Sequence, residues 1–588
     1  MAASAYYHKK RRRKRHTMAR KKKFNPLLVI IPAVIVIAAV LLIVLLAPKK
    51  EPEKNIRYLA SSSARVPYYY VNEEENRLIR SSQMLQRGTP VNDLNKSYTE
   101  NGIEYAVIEY NGENYYISSS SMVDDPEDVI QETEVWVRTS ATIYENETGP
   151  EIASFAKKGS CLSVQGYDKI QEDGSIHKYL VNFTDVTGKN VTGWVYGKYM
   201  AATEKEALEV NTEIYEIHKN RVYSGRDLHG GSPTSLDWYP VEKPSFPGNP
   251  ICDYCSGMYI TSKALDHIDD YIEIAKANGV NCMVINIKGE TGMSYPVEEI
   301  KEISPTSYKL IYFPTAESFQ KAVKKCQDAG LYCIGRIIMF NDSVYALDHP
   351  EECIESSSAN QLWPSAYSRN CWYFNLLMAT AAVKLCGFNE IQFDYVRFPE
   401  EAYSMSESGD TDFKNLYNEE KDEVIQNFCY YAADVLHELG VYMSVDVFGE
   451  CASPYVTAYG QYYPAISLVV DAISAMPYTD HYGREVDTWT DAYATLYDWG
   501  MKAAERQSEI PTPAIARTWV TCYDVPYWNP TVTCDAGYIA DQAQALADAG
   551  LSGGFMTWNG VSNLEKYKVI ADAWDTVYTQ QTPRIQSD

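Results

Sequence analysis

Gly387-Phe388-Asn389-Glu390-Ile391-Gln392-Phe393-Asp394-Tyr395-Val396-Arg397-Phe398-Pro399 is the stretch on which the fold turns. Within it, Glu390–Val396 reads as a short strand, and side chains that alternate with period two put Gln392 and Asp394 on one face. A buried strand excludes a lone carboxylate unless that group is paired or used. A strand of this kind, apolar on one side and polar on the other, predicts a sheet whose interior carries chemistry.

Outward from this strand, others recur at intervals that hold a helix. Gly257–Thr261, Cys282–Lys288, Tyr332–Phe340, Val441–Phe448, Ala472–Met476, Ala514–Val520 and Gly553–Trp558 have the same character. Amphipathic stretches lie between several of them, including Lys263–Asn278, Ala316–Ala329, Leu416–Leu439 and Ala536–Ala549. Gly279, Gly330, Gly440 and Gly550 each stand where a helix closes before the next strand. Eight strand-helix units over residues 257–578 predict a (β/α)8 TIM barrel. A doubly wound open sheet is the alternative, but no Gly-rich phosphate loop follows any strand.

In such a barrel the reactive groups stand at the C-terminal ends of the strands and in the loops beyond. The second strand places Asn286 and Lys288 on one face, with Glu290 just after it. The third carries Arg336 and ends at Asn341-Asp342, and the fifth sets Ser444 beside Asp446 by period two. Asp394 and Asp446 on adjacent strands fit the pair of carboxyl groups that glycoside hydrolysis needs. Lys288, Arg336 and Arg397 would hold one of them ionised. Glu450, in the loop after the fifth strand, is a rival acid, and pairing of Asp394 with Arg336 or Arg397 as a purely structural seal is the plainer alternative. Asp342, Tyr478, His481, Trp519 and Trp558 complete the expected substrate contacts, the aromatic ones as faces for sugar rings. No His or carboxylate cluster shows ligand spacing, so neither metal nor cofactor is implied. Cys252-x-x-Cys255 reads as a local disulfide or as packing rather than a zinc site.

The N-terminus sets the compartment. Residues 1–23 hold eleven Lys or Arg and no acid, in a basic tail that runs to residue 26. An uncharged apolar run over residues 27–47 follows, long enough as a helix to cross a hydrocarbon core of roughly 30 Å. The positive-inside rule places the tail in the cytoplasm and all that follows outside the cell, with membrane lipid as a partner. A cleaved signal peptide would have a shorter apolar region and a small-residue cleavage site. The whole chain carries a net charge of −25 despite that basic tail. So acidic an exterior repels nucleic acid and anionic polymers, and a neutral or wall-associated glycan is the expected partner.

Two β-rich segments stand between anchor and barrel, over residues 57–125 and 131–200, and residues 201–256 form a linker with a helix from Glu204 to Glu216. In the first, Tyr105 to Ile117 alternates around Asn111-Gly112, a hairpin signal. The second ends in Gly193-Trp194-Val195-Tyr196-Gly197-Lys198-Tyr199-Met200, which resembles the closing motif of bacterial SH3-like barrels; the first departs from it, with Asn114-Tyr115-Tyr116-Ile117 in that place. The resemblance implies binding to wall glycan or peptide, and a spacer is the alternative.

The barrel segment also resembles a known family. Gly257-Met258-Tyr259-Ile260-Thr261, Gly335-Arg336-Ile337-Ile338-Met339-Phe340-Asn341-Asp342 with His349-Pro350-Glu351, and the long Gly387–Pro399 motif look like the glycosyl-hydrolase family DUF4015. Asp446-Val447-Phe448-Gly449, Met476-Pro477-Tyr478 with His481-Tyr482, and Met556-Thr557-Trp558-Asn559 follow in the same order. The resemblance implies a TIM barrel related to α-amylase-like hydrolases, with Asp394 as nucleophile or base and Asp446 as general acid. Ile285-Asn286-Ile287-Lys288-Gly289-Glu290 departs from the Ile-Asp-x-Lys-Asp-Asp expected there. The reading is thus a membrane-anchored glycoside hydrolase outside the cell, against a non-catalytic glycan-binding or wall-scaffolding protein.

Overall fold

The structure, a computed structural model, describes residues 54–72, 75, 77–219, 221, 229–481 and 486–584. The basic tail and the expected apolar helix lie outside these. Among the described residues no helix is long and apolar enough to cross a membrane. The chain divides into two compact units. In the first, Pro90–Glu100 pairs antiparallel with Ile103–Tyr110, which pairs with Glu113–Ser118. The expected hairpin turns at Asn111 and Gly112, with φ of 53° and 83°, a combination that Asn and Gly reach at least cost.

The second unit holds residues 58–68, 81–89 and 120–588. It includes a second antiparallel sheet, in which Lys178–Thr184 pairs with Asn190–Tyr196 and Met200–Ala201 returns to Glu134–Val137. Gly193 is required by close approach, since a Cβ there would lie 2.5 Å from the carbonyl oxygen of Tyr144. This sheet packs on the barrel helices: Tyr199 Oη donates to Asp434 (2.7 Å) and Tyr431 Oη to the Pro150 carbonyl (2.6 Å). In the linker, the helix expected from Glu204 to Glu216 is two, Glu204–Leu208 and Thr212–His218. Asn211 interrupts it because its side chain caps the second, accepting from the Ile214 N–H. The linker packs on the barrel, with Lys243 Nζ donating to the carbonyls of Ser467, Leu468 and Val470.

The barrel strands are β1 (Cys255–Ile260), β2 (Cys282–Gly289), β3 (Tyr332–Ile338), β4 (Glu390–Asp394), β5 (Tyr442–Phe448), β6 (Ala472–Met476), a split β7 (Ile515–Ala516 and Thr518–Thr521) and β8 (Gly554–Trp558). All pair in parallel in sequence order, and β8 pairs with β1. The barrel is nearly closed through β7, whose first piece pairs with β6 and whose second pairs with β8. The helices between strands include α1 (Ile268–Ala277), α2 (Ala316–Asp328), α3 (Arg369–Cys386), α4 (Lys421–Glu438), α5 (Tyr463–Val469), α6 (Ala492–Ser508) and α7 (Ala536–Asp548). Gly279, Gly330, Gly440 and Gly550 follow four of them with φ of 72°, 81°, 70° and 93°. That conformation ends a helix within one residue, so the next strand starts on time.

Alternation then sorts the side chains. Met283, Ile285, Ile287, Ile391, Phe393, Val445 and Ile473 face the helices and join the main core. Cys255, Cys282, Val284, Ile334, Met556 and Trp519 fill the lumen. The lumen is layered along its axis. Near the strand starts, Arg517 and Glu390 form a buried ion pair (2.6 Å), with Tyr332 Oη also donating to Glu390 (3.0 Å). The middle holds Gln392, whose amide donates to Ser474 (3.1 Å). The charged layer above it belongs to the strand ends.

Candidate active site

Arg336, Asp394 and Asp446 make up that layer, all at most 4% exposed. The register that pairs Phe393 with Val445 continues to 394 and 446, so both carboxyl groups stand at one level on neighbouring strands. A single guanidinium joins them. Arg336 Nη2 donates to Asp394 Oδ2, while its Nε lies 3.8 Å from Asp446 Oδ2. Asp394 Oδ1 accepts from the Tyr395 N–H (2.6 Å), where the chain leaves β4 with a Tyr395 φ of 56°. A positive φ costs an aromatic residue energy. That strained turn sets Asp394 at the lip of the strand and directs the Tyr395 ring to the cleft.

Asp446 is more deeply placed. Trp519 Nε1 donates to its Oδ1 (2.8 Å), and Oδ2 has no hydrogen-bond partner. Burial first, and then the negative charge of Asp394, push its carboxyl well above the usual range; Arg336 and the Trp519 bond oppose this less strongly. Burial disfavours the charge of Arg336, but Asp394, then Tyr259 and Asp446, more than offset it, and the guanidinium stays charged. The layer therefore sets one cation between Asp394, which it binds, and Asp446, whose proton is held more tightly than that of a free carboxyl group.

Above it opens a cleft of about 840 Å³. Arg336 and Asp394 form part of its floor, with Tyr259, Tyr478 and Trp558 as aromatic walls. Tyr259 and Trp558 lie tilted against each other at 4.6 Å, and the guanidinium of Arg336 sits 5.3 Å over the Trp558 ring. Glu450 stands on another wall, half-buried, and accepts from Tyr459 Oη (2.9 Å). Arg397 also lines the cleft, with its guanidinium 4.1 Å over the Phe448 ring, as do exposed Glu290 and His481.

The structure thus brings together Asp394, Arg336, Arg397, Glu290, Glu450, Tyr478, His481 and Trp558, and sets four expected residues elsewhere. Asp446 does not line the cleft but lies beneath it, 1% exposed. Trp519 is equally buried, and its indole supports Asp446 rather than a sugar. Lys288 was expected beside Asn286, but a bulge between them turns it out of the lumen. It pairs there with Asp342 (2.5 Å) and lies 5.3 Å from the ring of Phe374 in α3. Asp342 in turn caps the helix Ser343–Asp348 by accepting from Val344 N and Tyr345 N. Asn286, left facing inward, accepts from Arg336 Nη1 (3.2 Å).

Tyr259 and Tyr395 are wall residues whose roles sequence reasoning missed. Both stand in quoted motifs, and alternation from Gly257 and Asp394 would have found the first. As for cations, the ligand atoms of His349, Glu351 and Glu352 lie within 4.8 Å of one another, away from the cleft. Glu352 there already accepts from Tyr345 (2.8 Å), Ser368 and Asn370. The Cys252 and Cys255 thiols are in contact, and all thirteen cysteines are unbridged.

Residues 254–564, more than half of the 588, match the family model DUF4015, described as "Putative glycosyl hydrolase domain". The chain belongs to this family. Among solved structures it is similar to a hypothetical protein from Ruminiclostridium thermocellum ATCC 27405, at 29% identity and a TM-score of 0.27, over 32% of this chain and 97% of that one. A Flavobacterium johnsoniae chitobiase matches at 10% identity and a TM-score of 0.37, over 55% of this chain and 48% of its own. The Bacillus cereus spore cortex-lytic enzyme SleL matches at 11% and 0.34, over 57% and 77%. No curated protein matches the chain.

Proposed function

We propose, with membership of this glycosyl hydrolase family as the premise, that the protein is a membrane-tethered glycoside hydrolase that cleaves a neutral or wall-associated glycan outside the cell. One observation carries the reading. Asp394 is 3% exposed yet reaches the floor of a large cleft, held by a buried guanidinium, with a second carboxyl group, Glu450, on the wall. A general acid must touch the leaving-group oxygen. Asp446 does not line the cleft, and of the glutamates that do, Glu290 and Glu400 are exposed while Glu450 is half-buried, so the donor role passes from Asp446 to Glu450.

In this mechanism the sugar at the scissile bond lies against Tyr259 and Trp558 with its anomeric carbon toward Asp394. Arg336 holds the Asp394 carboxyl group in place. As the anomeric carbon gains oxocarbenium character, Asp394 either attacks it, forming a glycosyl ester that a water deprotonated by Glu450 then hydrolyses, or takes the proton of a water that attacks the carbon directly. Glu450 gives its proton to the departing oxygen.

The apolar run over residues 27–47, with its basic flank, supports the tether. The Gly193–Met200 motif supports an SH3-like module that touches the wall. The test is a screen for new reducing ends from wall glycans and defined oligosaccharides, with the intact chain and its Asp394→Asn variant. The parent is expected to cut at least one and the variant none; a variant as active as the parent sinks the assignment.

A further inference from the structure

A smaller pocket, of about 230 Å³, adjoins the cleft. Two connections build it: the loop after β3 supplies Asn360, Gln361 and Trp363, and the segment after β4 supplies Pro399, Glu401 and, from the short helix Ala402–Ser408, Met405. The partition between pocket and cleft is thin. Arg397 and Tyr395 line the cleft, and on their other side the Arg397 guanidinium lies 5.4 Å over the Trp363 ring, with the Tyr395 ring 6.3 Å from it.

The pocket has the chemistry of a sugar site. Its floor is apolar, made by buried Trp363, Pro399 and Met405. Its rim is polar: Asn360 Nδ2 donates to Glu401 Oε1 (2.5 Å), and Gln361 Nε2 to Asn341 Oδ1 (3.1 Å). The first bond uses one of two amide hydrogens and one of two carboxylate oxygens, which leaves further capacity for hydroxyl groups. Trp363 Nε1 is buried without a partner. The volume falls below the roughly 300–1,000 Å³ that encloses a drug-sized ligand, so it suits a single ring. Glu401 on the rim disfavours a uronic acid.

We infer that this pocket is a distal saccharide subsite, which takes one uncharged ring of a glycan chain that runs from Asp394 past Tyr395 and Arg397. The inference rests on the hydrolase reading above and deepens it: the substrate is a chain of several sugars, not a disaccharide.

The test uses the full chain with Asp394→Asn, so that bound sugar is not turned over. Calorimetric titration compares disaccharides with hexasaccharides of N-acetylglucosamine, β-1,4-glucose and α-1,4-glucose. At least one hexasaccharide is expected to bind about tenfold more tightly than its disaccharide. Adding Asn360→Trp, at an exposed position, fills the pocket and should abolish that gain while the disaccharide Kd stays put. Glu401→Gln should weaken the hexasaccharide alone by several-fold, and circular dichroism checks that both variants fold. A hexasaccharide that binds the Asn360→Trp chain as tightly as its parent overturns the subsite and leaves the hydrolase intact. Absence of any cleavage by the unsubstituted chain overturns the hydrolase reading first, and the subsite with it.

Discussion

Asp446→Asn removes a buried titrating group while it keeps an oxygen to accept from Trp519 Nε1, now 2.8 Å from Asp446 Oδ1. The consequence for stability can be worked from the geometry. The Asp446 carboxyl is raised well above its ordinary range by burial and by Asp394. A raised carboxyl binds its proton more tightly in the folded state, so its contribution is fully present below the unfolded pKa, about 3.9, and is lost as pH rises toward the folded value. Across that window the folded state holds one extra proton, and parental stability falls by about 1.4 kcal/mol per pH unit relative to a chain without the group. Asn cannot titrate. From pH 5 upward the variant should therefore gain on the parent by up to about 1.4 kcal/mol per pH unit for as long as the folded-state Asp446 keeps its proton. Urea unfolding of both chains at pH 5, 6 and 7, followed by tryptophan fluorescence, reads the difference, in which titrating groups remote from Asp446 cancel. A difference that stays constant across these pH values would refute a protonated, buried Asp446.

Two further outcomes are expected. Arg517→Leu strands Glu390 in the lumen, where both are fully buried, and should cost about 3–5 kcal/mol in denaturant unfolding. Adding Glu390→Leu should recover much of that loss, and glycan release by the double variant should match the parent because the pair lies at the far end of the barrel. His177 meets Asp168 of its own module and Glu438 of α4 (2.7 Å), which raises its pKa, the Glu438 bond most of all. Its stabilising contribution is complete below the unfolded pKa near 6.5 and fades as pH rises through the folded value. Melting temperatures of parent and His177→Gln should thus converge from pH 6 to pH 8; a constant gap contradicts this.

Much of the barrel was legible because parallel strands covered on both sides read as short apolar runs, and because a left-handed glycine before a strand leaves a sequence mark. The break in β7 was not. Arg517 interrupts what reads as a continuous strand, Ala514–Val520, and its partner Glu390 is 127 residues away. The bulge after Asn286 was equally hidden, since period two carries Lys288 inward unless an extra residue intervenes. The place of Asp394 on the inward face of β4 was legible by alternation.

Depth along a strand was the harder quantity. Asp446 and Glu450 are four residues apart, and only the place where β5 ends, at Phe448, puts one under the cleft and the other beside it. Trp519 shows the same limit: a strand-end indole reads as a sugar platform until its N–H is seen on Asp446. The pocket around Trp363 left no mark, because an irregular loop and the start of a short helix, Ala402–Ser408, build it from distant parts of the chain.

In the proposed mechanism Glu450 gives the proton when Asp394 acts. The most direct measurement is kcat/KM of Glu450→Gln and Asp446→Asn on two substrates of the same cleaved sugar, one with its natural sugar leaving group and one with 4-nitrophenolate. Loss of a general acid costs roughly 10²–10⁴-fold where the leaving oxygen needs a proton, and little where it does not. Glu450→Gln should fall by that much on the natural substrate and only slightly on the nitrophenyl glycoside, while Asp446→Asn falls alike on both. Equal losses for Glu450→Gln on the two substrates, or the leaving-group pattern in Asp446→Asn instead, would contradict it.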